Sequence, residues 1–268
     1  MLSWVVICLV CTVTLRLIYR CMYQERVNDI KWTDLKTQGL RYQLPYRTTD
    51  EYIFFFPYVW VWLDIVLFVL LISMISSYPM DVIFMLCIAS RFRALQEIAH
   101  FSVHRALSRK AKRDAFFANI CFQYPMLKVS IQRRRQSHLI HHACVNTHED
   151  PNLKDFIKIG FVPGISNVQF IKGVFYPLTF QGVKSTLNCA ICNTLLDQPF
   201  GTLLARFFVI ATIIFILFVL GGGRTVLYGY LIPVFLIYPF FAWLSQLLEH
   251  RWFVNVTGLP RIQREYAS

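Results

Sequence analysis

The sequence predicts an all-α, polytopic membrane protein with four core transmembrane helices, an N-terminal anchor helix and a cytosolic helical cap that carries histidine clusters. Three observations predict it. Apolar and aromatic residues make up 56% of the 268, above the roughly 45–50% of soluble domains, and mean hydropathy is +0.47. These residues gather into runs long enough to cross a hydrocarbon core of about 30 Å. Basic stretches separate the runs and give a net charge of +12. Loops held in the cytosol collect Lys and Arg, so topology accounts for the charge. No nucleic-acid motif accompanies it, and no nucleic-acid partner is expected.

Residues 1–50 read as an anchor or amphipathic region, and residues 51–268 as the membrane domain. Leu2 to Leu15 is apolar and is interrupted by Arg16 and Arg20. No positive charge precedes the run and no cleavage site follows, so it reads as an anchor or interfacial helix rather than a signal peptide. Tyr52 to Ser77 is the first core span. Asp64 lies near its middle, where a carboxylate costs at least about 2.5–3.5 kcal/mol. It either faces other helices or is tolerated in protonated form. Ser77-Tyr78-Pro79 makes a turn. The next apolar run, Val82 to Ala89, is too short to span alone, but a helix continued to about Leu107 is long enough, with Arg91 and Arg93 reaching toward the surface.

From Arg105 to Arg135 the chain is strongly basic, which assigns it to the cytosol. Phe156 to Phe180 mixes apolar residues with Lys158, Lys172, Pro and Gly, a composition suited to lying on a membrane surface. Leu203–Leu220 and Val226–Leu247 are the last two spans, separated by Gly221-Gly222-Gly223-Arg224. Two hairpins then bring the ends of the second and fourth core helices to one face. The eight cysteines form no disulfide framework. Cys189-Ala-Ile-Cys192 lacks the βαβ context of a redox motif, so its spacing reads as coincidence.

All seven histidines follow residue 99. His100 and His104 are spaced i, i+4, which sets both imidazoles on one helix face. His138, His141 and His142 repeat the arrangement at i, i+3, i+4, and His250 stands at the end of the fourth span. A lone His-x-x-x-His pair occurs by chance on surface helices. Three groups at one predicted face point instead to a metal. Imidazole is a suitable ligand for iron, and an O2-activating metal is what oxidation of an unactivated C–H bond requires.

Arg93-Ala-Leu-Gln-Glu97-Ile-Ala-His100-Phe-Ser-Val-His104 resembles the first histidine box of membrane fatty-acid desaturases. Arg135-Gln-Ser-His138-Leu-Ile-His141-His142 resembles the second, and Asn146 to Leu153 resembles the acidic, Pro-containing stretch that trails it. Glu249-His250-Arg251-Trp252-Phe253 resembles the segment at the end of the family's fourth membrane helix. The resemblance implies a non-haem di-iron centre with two Fe ions, and O2 as oxidant. It also implies a fatty acyl or related lipid substrate, desaturated or hydroxylated, and an external electron donor of cytochrome b5 or ferredoxin type. His100, His104, His138, His141, His142 and His250 would be the iron ligands, on the cytosolic side of the endoplasmic reticulum or of a bacterial inner membrane. Glu97 would either hold an imidazole by hydrogen bond or form a helix-surface ion pair. Asp150 and Asp155 are further candidates for carboxylates that steady a ligand, and His148 reads as a loop residue.

The family's third box, His-x-x-His-His beyond the fourth helix, has no counterpart among the 18 residues that follow His250, which include no histidine. A truncated member of the family is the expected reading. Its rival is a decayed, non-catalytic membrane relative that keeps the helices and one metal at most.

Overall fold

The computed structural model describes residues 2–28, 55–105, 107–108, 110–195 and 199–249. Among these residues every regular element is helical. The chain runs through α1 (Leu2–Asn28), α2 (Phe56–Met74), α3 (Tyr78–Val103) and α4 (Ala111–Ala118), and α4 continues into a π-helical turn at Asn119–Gln123. Then come α5 (Ile131–Cys144), α6 (Pro151–Lys158), α7 (Asn167–Val174), a 3₁₀ turn at Tyr176–Leu178, and α8 (Phe180–Leu195). The last stretch is α9 (Phe200–Val226), π turns at Leu227–Leu231 and Pro233–Ile237, and α10 (Tyr238–Glu249). The boundary expected at residue 50 and the ligand expected at His250 lie outside the described residues.

Among the described residues, two helical stretches are long and apolar enough to cross a bilayer, Phe56–Met74 and Phe200–Leu248. They are the first expected span and the last two. The first is four residues shorter at its start than expected, where Pro57 sits among the opening residues of the helix, a position that needs no amide N–H. It stops at Ile75, whose backbone turns extended ahead of Pro79. α3 runs to Val103 instead of about Leu107. Arg105 takes φ +58° and its N–H turns back to Ser102 O at 3.0 Å, which ends the helix just before His104.

The core lies between α2 and α3. Tyr58, Val61, Ile65, Val69 and Ile72 form one stripe, and Ile88, Phe92, Leu95, Ala99 and Val103 form the other. Both repeat every three to four residues, the spacing of a single helix face. Tyr58 at the start of α2 meets Ser102 at the end of α3, with 3.2 Å between their oxygens, so the two helices are antiparallel. The stretch after Gly223 runs alongside α3 in the same direction. Arg224 pairs with Asp81 at one end, Tyr238 donates to Gln96 at 2.6 Å further along, and Arg93 bonds Ser245. The π turn at Asn119–Gln123 and the residues after it are held inside this bundle. Trp62 donates to Cys121 O at 3.0 Å, and the hydroxyl of Tyr230 donates to Pro125 O.

Asp64 faces other helices and is paired. Arg16 of α1 bonds its carboxylate, and Arg91 of α3 lies 3.3 Å from the same oxygen. One buried acid thus ties three helices together, and α1 buries Cys8 and Thr12.

The long stretch that begins at Phe200 does not run straight. Gly221 and Gly222 have non-helical backbone, and the Thr225 hydroxyl donates to Leu217 O. Eight residues of straight helix would hold these two groups about 12 Å apart, so the chain turns at the glycines. Gly222 adopts φ +68°, ψ −155°, a conformation essentially closed to residues with a Cβ. A Cβ on Gly221 would stand 2.5 Å from Thr225 Cγ2 and 2.9 Å from Ser73 Cβ. We expect Gly222→Ala to destabilise the chain by about 1–3 kcal/mol, read as a lower melting temperature in detergent. Gly223→Ala, whose Cβ would meet nothing within 4 Å, should melt like the parent. Equal melting of the two variants would show that the turn does not depend on the glycine.

Phe156 to Phe180 forms short helices, as a surface-lying segment would. It packs on α10 through Phe156 against Trp243, ring centroids 4.6 Å apart, and through Trp243 donating to Gly173 O at 3.1 Å. Val168, Phe170, Ile171 and Phe180 remain exposed.

Candidate metal centre

His100 sits in the last turn of α3 and His104 directly after it. The i, i+4 spacing sends both imidazoles out of the same side of the helix end. α5 brings His138 and His142 across from them. Its start is held by Asn119, whose Oδ1 accepts the Ile131 N–H at 2.8 Å and whose Nδ2 donates to Gln132 at 3.2 Å. Asn119 itself is buried in the π turn. The sequence reading missed it, because a single Asn in a long basic segment carries no periodic signal.

The four rings converge through Nε2. His138 Nε2 lies 2.8 Å from that of His100, 2.9 Å from that of His104 and 2.9 Å from that of His142. His104 and His100 are 3.2 Å apart. One donor atom from each of the four residues falls within 4.8 Å of every other. Neutral imidazoles each offer one lone pair and one N–H, so with the proton on Nδ1 the four Nε2 lone pairs are free to face one cation. Ligands bound to one ion at about 2.0–2.1 Å sit about 3 Å from each other, close to the spacings found. The residues therefore fit a metal ion, and a set of neutral nitrogen donors suits iron among others.

Protonation of the ligands would compete with a metal. Burial, followed by the charges of His100, His142, His104 and Arg134, pushes the His138 imidazole down to about 2, so it stays neutral. In the metal-free chain this has a defined sign. Between the ordinary value of 6.5 and the depressed one, the unfolded chain binds the proton and the folded chain does not. Stability should be level above pH 6.5 and fall as the pH is lowered through that window. Denaturation midpoints from pH 8 to pH 5 test this, and His138→Gln should flatten the slope. An unchanged slope in that variant would assign the acid sensitivity to other groups.

His141 is not in the group of four. Its ring lies beside those of His138 and His142, and its Nδ1–H donates to Asp150 Oδ1 at 2.8 Å. Both residues are buried. Asp150 also accepts the N–H groups of Asn146 at 3.1 Å and Asn152 at 2.9 Å, and it caps α6 with Pro151 in the first turn. Burial raises the Asp150 carboxyl, but the hydrogen bond from His141, its charge and the two backbone bonds outweigh this and hold it below its ordinary value. The acidic, Pro-containing stretch is thus a helix cap that also fixes one imidazole of the second histidine group.

Glu97 pairs with one of its expected partners and only approaches the other. Arg93 bonds it, and its other oxygen is 3.9 Å from His100 Nδ1, beyond hydrogen-bond length. Asp155 faces solvent and pairs with Lys158 at 3.0 Å, apart from the four histidines. His148 is 92% exposed, as a loop residue would be.

The chain matches the family Fatty acid desaturase over residues 76–267. It belongs to the fatty acid desaturase family, an oxidoreductase family of membrane proteins. No curated protein and no solved structure matches it.

Proposed function

We propose that this chain takes part in the O2-dependent oxidation, by desaturation or hydroxylation, of a fatty acyl or related lipid chain at a membrane. The observation that carries the proposal is the convergence of His100, His104, His138 and His142 at the ends of two helices of a desaturase-family chain. Under this reading these four residues hold iron, with His141 and His250 as further ligands, and the two ions of the family need additional ligands beyond these six. Bound iron supplies the activation of O2 that hydrogen removal from an unactivated C–H bond needs.

The residues of the chain do the rest. α2, α3 and the two arms on either side of Gly221–Gly222 serve as four spans, and the basic segment from Arg105 to Arg135 stays on the cytosolic side. Asp150 keeps His141 in one tautomer with Nε2 free of its proton. Under this reading an acyl chain reaches the histidines from the lipid side. Electrons come from an external donor of cytochrome b5 or ferredoxin type.

The test is metal analysis of the full chain purified in lipid nanodiscs, joined to acyl-chain analysis after supply of O2 and a reduced donor. Two iron ions per chain and a new double bond or hydroxyl group are expected. A chain that binds iron but leaves every acyl chain unchanged, or that binds none, would instead support a non-catalytic relative.

A further inference from the structure

α8 leads into the apolar stretch that begins at Phe200. It buries Gly182 and Ala190, while Phe180, Leu187, Ile191 and Leu195 stay exposed. Such a helix rests at the boundary of the bilayer. It carries two free, exposed thiols, Cys189 and Cys192. Cys189 Sγ accepts a hydrogen bond from Asn193 at 3.2 Å. Cys192 lies one turn before Leu195, on the same side of the helix.

Leu195 marks the mouth of a groove of about 730 Å³ that continues along the outer face of α9. Thr194 and Leu195 open it, and Leu203, Phe207, Ile214 and Phe218 line its length. From Leu203 to Phe218 the helix covers about 22 Å, more than the roughly 15 Å of hydrocarbon in one leaflet. The mouth is rigidly placed. Arg206 is fully buried, donates to Asn193 O at 2.9 Å and lies over the Tyr124 ring at 5.0 Å. A cation is favoured where it meets the free carbonyls of a helix C-terminus, and here it binds the end of α8 to α9.

We propose that Cys192 is a site of S-acylation and that the attached long acyl chain lies in the α9 groove. Cysteines on amphipathic or juxtamembrane helices are the usual sites of this modification, and here a thiol stands one turn from an apolar channel of suitable length. In the step, Cys192 Sγ attacks the carbonyl carbon of an acyl thioester of the acyl-coenzyme A class. A new C–S bond forms to Cys192, the donor's C–S bond breaks, and the donor departs as a free thiol with the proton that Cys192 gave up. No electrons are exchanged with an outside reagent. Tethering then holds the chain at high effective concentration beside the groove. Cys189, already engaged by Asn193 and about two turns from Leu195, is the lesser site. The proposal is independent of the oxidation chemistry at the histidines.

The test expresses the full chain in cells with protein S-acyltransferase activity and feeds them a palmitate that bears an alkyne and a photoreactive diazirine. Hydroxylamine-labile label is expected on the parent, on Cys189→Ser and on Cys144→Ser, with most of it lost in Cys192→Ser. Irradiation should link the chain to the peptide spanning residues 200–218 in the parent, Cys189→Ser and Cys144→Ser, but not in Cys192→Ser. Absence of labile label, label that persists in Cys192→Ser, or crosslinks to residues 200–218 that survive in Cys192→Ser would each overturn the proposal. The last result would assign the groove to an ordinary lipid tail, and crosslinks confined to a second protein would assign it to a partner helix.

Discussion

His138→Ala is expected to reduce the metal content of the purified chain to background and to abolish oxidation of acyl chains. His138 is the hub of the cluster. Its Nε2 lies within 2.9 Å of the nitrogens of His100, His104 and His142, whereas each of the others has fewer such neighbours. Its removal opens the centre and leaves three imidazoles, two of them a helical turn apart on α3. Loss of a residue that merely steadies a ligand costs about 10–100-fold in metal affinity, and loss of a ligand should exceed that. Asp150→Asn gives the graded comparison, because it weakens the hold on His141 without touching the group of four, and a fall of about 10–100-fold is expected. Elemental analysis and a competition titration with a chelator read both. A His138→Ala chain that keeps its full metal content would mean that the four nitrogens are not the site.

Arg224→Ala should have the largest effect on stability. The guanidinium donates to both oxygens of Asp81, at 2.6 and 2.7 Å, to Ile75 O at 2.9 Å and to Ile72 O. It therefore holds the end of α2, the start of α3 and the glycine turn within α9 at one point. Asp81 is only 4% exposed, and removal of one partner of a buried pair costs about 3–5 kcal/mol, because the other charge is left without compensation. Two carbonyls at the end of α2 lose their donor as well. Arg224→Lys keeps the charge but has one nitrogen in place of the two, Nη2 toward Asp81 and Ile75 and Nη1 toward Ile72, so it should fall between the parent and Arg224→Ala. Arg224→Ala combined with Asp81→Asn should recover part of the loss, since no buried charge then stands alone. Thermal unfolding of detergent-purified protein measures the series. A double variant that melts below Arg224→Ala would show that Asp81 is stable without its partner.

Much of the candidate site was legible in the residues themselves. Imidazoles at i, i+4 share a helix face by geometry alone, so His100 and His104 were bound to point the same way, as were His138 and His142. The apolar helices at Phe56–Met74 and Phe200–Leu248 were legible for a similar reason, since a run of apolar residues is a property of the chain that folding does not alter. The role of Asp150 was harder to read. An Asp before Pro marks a helix start, but the imidazole it also receives comes from nine positions earlier on another helix. Asn119 gave no signal, because its function is to meet the start of α5 across a turn.

Asp64 shows where the division falls. Hydropathy establishes that a carboxylate lies within a long apolar helix and that its position is costly, but leaves open what it faces. Arg16 and Arg91 settle that, and they come from helices on either side of it in the chain. The sequence by itself determined the helices, the faces on which their apolar residues and histidines lie, and the family to which those motifs point. Only the tertiary structure decided that four of the imidazoles meet within 4.8 Å, that Arg224 closes on Asp81, and that the chain reverses at Gly222. The physical reason is one of range. Side-chain direction along a helix is set by neighbours three and four residues away, whereas the meeting of two faces is set by packing between segments that the sequence keeps far apart.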